Sequence, residues 1–85
     1  MRYVISYDLV NGTSEDYESL WDALRQAGAK RLLRSQWCLR RHNTTAVALR
    51  DHFWQYMESG DRLLVTCLDG SGWASMNLLY DPNKL

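Results

Sequence analysis

The sequence contains no apolar run near the ~20 residues that a membrane-spanning helix requires. Its start, Met1-Arg2-Tyr3-Val4-Ile5-Ser6-Tyr7-Asp8, is charged too early for a signal-peptide core. A soluble, cytoplasmic protein is therefore expected. Cysteine is scarce: Cys38 and Cys67 stand far apart with no Cys-x-x-Cys spacing, so the usual zinc and dithiol patterns are excluded and two reduced, packed thiols are expected. Also missing are a His-x-x-x-His pair, a Ser/His/Asp ordering, a glycine-rich phosphate loop and a heme motif, which leaves the common hydrolase and nucleotide-fold classes without support. There are no repeats, linkers or low-complexity stretches. What is present, 85 residues of which 46% are hydrophobic and 24% charged, suits one small core. The reading is a single domain over residues 1–80 with a tail at 81–85.

A further absence hides inside a formal net charge of +0. No acidic residue occurs between Asp22 and Asp51, while Arg25, Lys30, Arg31, Arg34, Arg40, Arg41 and Arg50 supply seven of the ten basic side chains. The counterweight is an acidic first segment, Asp8, Glu15, Asp16, Glu18 and Asp22. Nucleic acid responds to a local stripe of positive charge rather than to the sum, so the neutral total does not argue against such a partner.

Residues 2–8 are rich in Tyr, Val and Ile and read as a central strand apolar on both faces. Asn11-Gly12 breaks the pattern, Thr13 or Ser14 can cap a helix, and Glu15, Asp16 and Glu18 suit its positive end. Tyr17, Leu20, Trp21, Leu24 and Ala27 then recur at helical spacing up to Gly28, which predicts a helix over 14–27. Residues 30–40 have strand character and form either one bent strand or two short ones hinged near Ser35-Gln36. After the His42-Asn43 turn, with Thr44 or Thr45 as cap, Ala46, Leu49, Phe53, Tyr56 and Met57 mark a second helix over 45–58. Residues 62–68 read as another strand, Asp69-Gly70-Ser71-Gly72 as a turn, and 73–80 as its hairpin partner. The tail reads as unpaired or swung onto a neighbour.

Strand, helix, strand (possibly split), helix, strand and strand, with both helices on one face of a mainly antiparallel sheet, is the ferredoxin-like α+β plan, of βαββαβ type. The central strands are apolar on both sides, yet two helices cover only one face. A second copy of the chain is the simplest cover for the other, so a homodimer packed through its sheets is expected.

For chemistry, Asp8 stands out at the end of the first strand. It either closes the strand by bonding its own backbone or offers a carboxylate to a hard divalent cation such as Mg²⁺. Two copies of Asp8 across a dimer axis can bridge one ion. In the basic segment, Arg34 and Arg40 fall on one side by strand parity and Arg31 and Arg41 on the other, with Gln36 and Trp37 between them. Arginine beside an aromatic pairs with phosphate and stacks on bases, although charge also protects a solvated sheet edge. His42 sits in a polar turn where it can contact phosphate, and His52 flanks the second helix's apolar stripe. Trp21, Trp54 and Trp73 read as core or interface anchors.

At Val4-Ile5-Ser6-Tyr7-Asp8, in a chain of this size and element order, the sequence resembles the small CRISPR-associated Cas-two proteins and their VapD-like toxin relatives. Those are ferredoxin-like dimers whose first strand ends in Tyr-Asp or a near equivalent. Arg34-Ser35-Gln36-Trp37-Cys38-Leu39 stands where the family has a strand bearing Gln or Ser with aromatics. The likeness is above all to the stand-alone bacterial branch labelled SinR-like or Cas-two-like. It is carried by Tyr7-Asp8-Leu9, Asp16-Tyr17, Leu20, Gly28-Ala29, Ser35, Trp37, Thr45-Ala46, Arg50-Asp51 and Asp61-Arg62-Leu63-Leu64-Val65. The resemblance implies a dimeric metal-dependent nuclease acting on RNA or DNA, with paired Asp8 holding Mg²⁺ or Mn²⁺ and Arg31, Arg34, Arg40 and Arg41 holding the backbone. The alternative is a catalytically silent nucleic-acid-binding or scaffold dimer of a defence or toxin-antitoxin system. Trp37-Cys38, where aromatic-glutamate patterns are common, and the short C-terminal portion weigh against a part in CRISPR adaptation.

Overall fold

The structure is a computed structural model that describes residues 1–10, 14–70 and 72–85, with the side chains of 14–16 outside the description. The expected break at Asn11-Gly12, a cap at Thr13, and Ser71 of the later turn lie outside the described residues, as do the side chains of Ser14, the other cap candidate, and of the first-turn carboxylates Glu15 and Asp16.

Strand β1 (Arg2–Asp8) carries the apolar character expected of it. Tyr3, Ile5 and Tyr7 point to one face and Val4 to the other, and all four are buried. Helix α1 (Ser14–Gln26) follows, ending where Gly28 takes a left-handed φ of 84° and bonds back to the Arg25 carbonyl. Residues 30–40 form two strands, β2 (Lys30–Leu33) and β3 (Gln36–Arg40), with a turn at Arg34 and Ser35 and an irregular register between Arg31 and Leu33. Helix α2 (Ala46–Trp54) and strand β4 (Arg62–Cys67) complete the βαββαβ order. The sheet runs β2-β3-β1-β4 with antiparallel neighbours throughout, the ferredoxin-like α+β arrangement.

The helices share one face. Leu20 and Leu24 of α1 and Leu49 and Phe53 of α2 pack with Tyr3, Ile5, Tyr7, Trp37 and Leu39 of the sheet into the main core. Helix α2 is shorter than the expected 45–58. Thr45 is its cap, its hydroxyl accepting from Ala48 N at 3.0 Å, and beyond Trp54 the chain continues in turns that bond the Phe53 and Trp54 carbonyls.

Two expectations for the C-terminal segment are corrected. Residues 73–80 form no strand among the described residues; Leu79 N donates to Leu32 O at 3.0 Å, and Asn77 turns the chain at φ 59°. Nor is the tail unpaired. It closes in a 3-10 turn, Pro82–Lys84, with Pro82 buried and Arg2 Nη1 donating to Pro82 O at 3.2 Å and Asn83 Oδ1 at 3.1 Å. The reason is apolar burial. Val4, Leu32 and Cys38 form a second small core on the helix-free face, and Leu68, Leu78, Tyr80 and Leu85 cover it from within the same chain. The rest of that face, with Leu33, Leu64 and Met76, stays exposed. No helix among the described residues is long and apolar enough to cross a membrane.

Candidate functional site

Asp8 closes β1 on the helix-free face, the side opposite Tyr7 by strand alternation. Its register partner on β4 is Arg62, which shares that face, and Arg62 Nη1 stands 3.8 Å from Asp8 Oδ2. With the two side chains 72% and 67% exposed, the pair is held weakly and solvent screens it. Asp8 and Arg62 line a shallow depression of about 330 Å³ together with Ser6, Ser35, Gln36 and Leu64. Ser35 is drawn there because its carbonyl accepts from Tyr7 N at 3.1 Å, which ties the β2–β3 turn to the end of β1. Arg62 was not singled out from the sequence as a site residue; it becomes one only through the β1–β4 register.

The four arginines of the basic segment do not share one surface. Arg34 lies in the β2–β3 turn, exposed, at the Asp8 end of the sheet. Arg40 pairs in register with Arg2 at the other end, and its Nη1 donates to the Leu85 carbonyl at 3.3 Å. Arg41 follows it, with Nη2 donating to Ala27 O at 3.1 Å below the end of α1. Arg31 is half-buried on the helix side, stacked over the rings of Trp37 at 4.8 Å and Trp21 at 5.4 Å. Its Nε is buried without a hydrogen-bond partner.

Beneath the depression, Tyr7 is the hub of a polar knot. Its hydroxyl oxygen accepts from Trp37 Nε1 at 2.9 Å, Trp21 Nε1 at 3.0 Å and Arg31 Nη2 at 3.3 Å. A phenol oxygen has two lone pairs, so three donors oversubscribe it and fix all four side chains around one point. Asp61 performs a comparable task on the other flank. Burial by itself pushes its carboxyl up, but hydrogen bonds from Val10 N at 3.0 Å, Glu58 N at 2.8 Å and Tyr17 Oη at 2.9 Å outweigh that and hold it below the ordinary 3.8. Val10 lies two residues past Asp8 and Asp61 one before Arg62, so this carboxylate braces both sides of the depression.

Whether a hard divalent cation fits can be judged from the donors. Ser6, Ser35 and Gln36 bring oxygen atoms to the same depression as Asp8, the right chemistry for Mg²⁺ or Mn²⁺. Among the described residues, however, no group of three or more His, Cys, Asp or Glu side chains gathers anywhere. The fit is therefore met only when a second copy of Asp8 is brought to the first. No protein-family model matches the chain.

Proposed function

We propose that the protein is a dimeric, cation-dependent nuclease of RNA or DNA, with Asp8 from each of two copies as the catalytic and metal-holding residue. The observation that carries the reading is the position of Asp8: an exposed carboxylate at the open end of the central strand, in a depression it shares with the exposed Leu64, which also borders the apolar groove of Leu33 and Met76. An apolar patch next to an exposed carboxylate is the arrangement that self-association through the helix-free face would turn into a carboxylate pair. When bound there, Mg²⁺ or Mn²⁺ supplies a Lewis acid and an activated water. Arg62 and Arg34, the basic side chains at this end of the sheet, hold backbone phosphate, while Ser35 and Gln36 orient it by hydrogen bonding.

The test is cleavage of single-stranded RNA and of duplex DNA by the purified protein with MgCl₂ and with EDTA. Cleavage that needs the cation and falls by about 100-fold or more in Asp8→Asn is expected, the size of effect that follows removal of a catalytic acid–base or metal-holding group. Undiminished cleavage by the variant would assign the activity to a contaminant. A second reading, a catalytically silent nucleic-acid-binding dimer, is favoured by one observation: Arg62 stands opposite Asp8 in the strand register, 3.8 Å away. Its signature is salt-sensitive binding with no cleavage at any cation concentration.

A further inference from the structure

At the end of the sheet away from Asp8, a cavity of about 280 Å³ opens between the close of α1, the loop after β3 and the first turns of α2. β1 has 7 residues, so at ~3.3 Å per residue this cavity lies on the order of 20 Å from the depression around Asp8. Its walls are Arg41, His42, Asn43, Thr44 and His52 over a floor of Leu49 and Phe53. The chain has two histidines, and both line this one cavity together with an arginine. Among the described residues no Asp or Glu lines it, and α2 has no acidic residue in its first turn. The nearest carboxylate in sequence, Asp51, is paired with Arg50 at 2.9 Å.

The walls are held in place. Asn43 takes a left-handed φ of 56°, which turns the loop sharply, and Tyr3 Oη donates to Thr44 O at 3.2 Å from the sheet beneath. Arg41 is fixed at both ends, its backbone N bonding Met1 O at 2.9 Å and its Nη2 bonding Ala27 O, yet it forms no ion pair among the described residues. A guanidinium has five N–H donors, so Arg41 keeps further donors for a ligand. His52 is oriented by edge contacts with Phe53 at 5.0 Å and Tyr56 at 5.9 Å. Gln55 Nε2 lies 3.4 Å from His52 Nδ1. With Nδ1 facing Gln55, the other ring nitrogen, Nε2, has no protein partner among the described residues.

From this geometry we infer that the cavity binds a phosphate group, taken from a free nucleotide or from a nucleic-acid backbone. Guanidinium and imidazole donors without a competing carboxylate suit an oxyanion. The volume falls just below the roughly 300–1,000 Å³ of drug-sized ligand sites, which suits a small group such as phosphate. The inference does not depend on the nuclease reading, because it uses a different end of the molecule and no cation.

The experiment is an NMR titration of the full-length protein with inorganic phosphate, with AMP and with a single-stranded oligonucleotide, at constant ionic strength set by chloride. Saturable shifts of the Arg41, His42, Asn43 and Ala48 amides are expected, with a Kd of about 1 mM or tighter for AMP. The His42→Gln/His52→Gln double variant, whose side chains are exposed and whose amide spectrum reports an intact fold, should weaken binding by about tenfold or more. Saturation by AMP with none by the oligonucleotide identifies free nucleotide as the source; tighter saturation by the oligonucleotide identifies the backbone. Shifts that never saturate, shifts reproduced by chloride alone, or a double variant that binds as well as the wild type would each overturn the assignment.

Discussion

At the scale of single residues, Asp61 shows how much can rest on one carboxylate. Oδ1 accepts from both Val10 N and Tyr17 Oη, and Oδ2 accepts from Glu58 N. In Asp61→Asn, the amide nitrogen must face one of those donors, leaving a buried N–H or O–H without an acceptor. The expected loss is about 1–3 kcal/mol in urea unfolding. The pH dependence follows from the direction of the shift. A carboxyl whose folded pKa lies below its unfolded value stabilises the fold above the ordinary 3.8. That contribution fades as the pH drops through this value and is gone below the folded one. Melting curves of the wild type should therefore converge on those of Asp61→Asn in acid; a constant gap down to pH 2 would refute the assignment. Sequence reasoning found Asp8 as an exposed strand-end carboxylate because strand parity and a polar loop are both local signals. It could not find Asp61 or the fate of Arg31. Tyr17 and Val10 reach Asp61 across more than forty residues, and Arg31 is taken from the basic stripe by Trp21 on a different element.

At the scale of elements, periodicity read the framework well. Both helices, the first strand and the strand at 62–68 were legible, since each turns apolar side chains toward the core at its own period, whereas residues 30–40 read equally as one bent strand or two short ones. The C-terminal segment was not. Trp73, Leu78, Leu79 and Tyr80 have the composition of a strand, but Leu79 is exposed, and Leu78 and Tyr80 are half-buried by lying across Val4, Leu32 and Cys38 rather than by joining a ladder. Two apolar surfaces finding each other leaves no period to read. Cys38 reports on this cover: it is fully buried, and burial, with a smaller opposing pull from Arg2, pushes its thiol up to about 11. Cys67 is exposed. One thiol should therefore react with iodoacetamide in the native protein and two in denaturant. Leu78→Ala/Tyr80→Ala should make Cys38 reactive without denaturant and cost about 1–2 kcal/mol, less than full core truncation because both side chains are only half-buried. Equal native reactivity of both cysteines in the wild type would contradict the cover.

At the scale of the whole molecule, the two faces of the sheet are unequally finished. Two helices cover one face, whereas the C-terminal segment covers only part of the other. Along its border, a groove of about 420 Å³ is lined by Leu33, Leu64, Trp73 and Met76, with Leu64 59% and Met76 84% exposed. The shortage of chain that led the sequence reading to expect a homodimer is thus partly met in cis, and what remains open is the half next to Asp8. This narrows the expectation usefully. Self-association through the remaining patch would bring Leu64 to the interface and Asp8 to its edge, so loss of dimerisation and loss of cation-dependent cleavage should go together. Leu64→Glu places a charge in the patch, at the border of the Asp8 depression and outside the buried core. Light scattering at micromolar concentration should give twice the 9.9 kDa chain mass for the wild type, about one chain mass for Leu64→Glu, and an unchanged far-ultraviolet spectrum for both. A wild-type monomer would remove the paired carboxylate and with it the metal reading of Asp8. A dimer that survives Leu64→Glu would move the interface to another surface, since an unpaired glutamate at the centre of an apolar contact costs several kcal/mol.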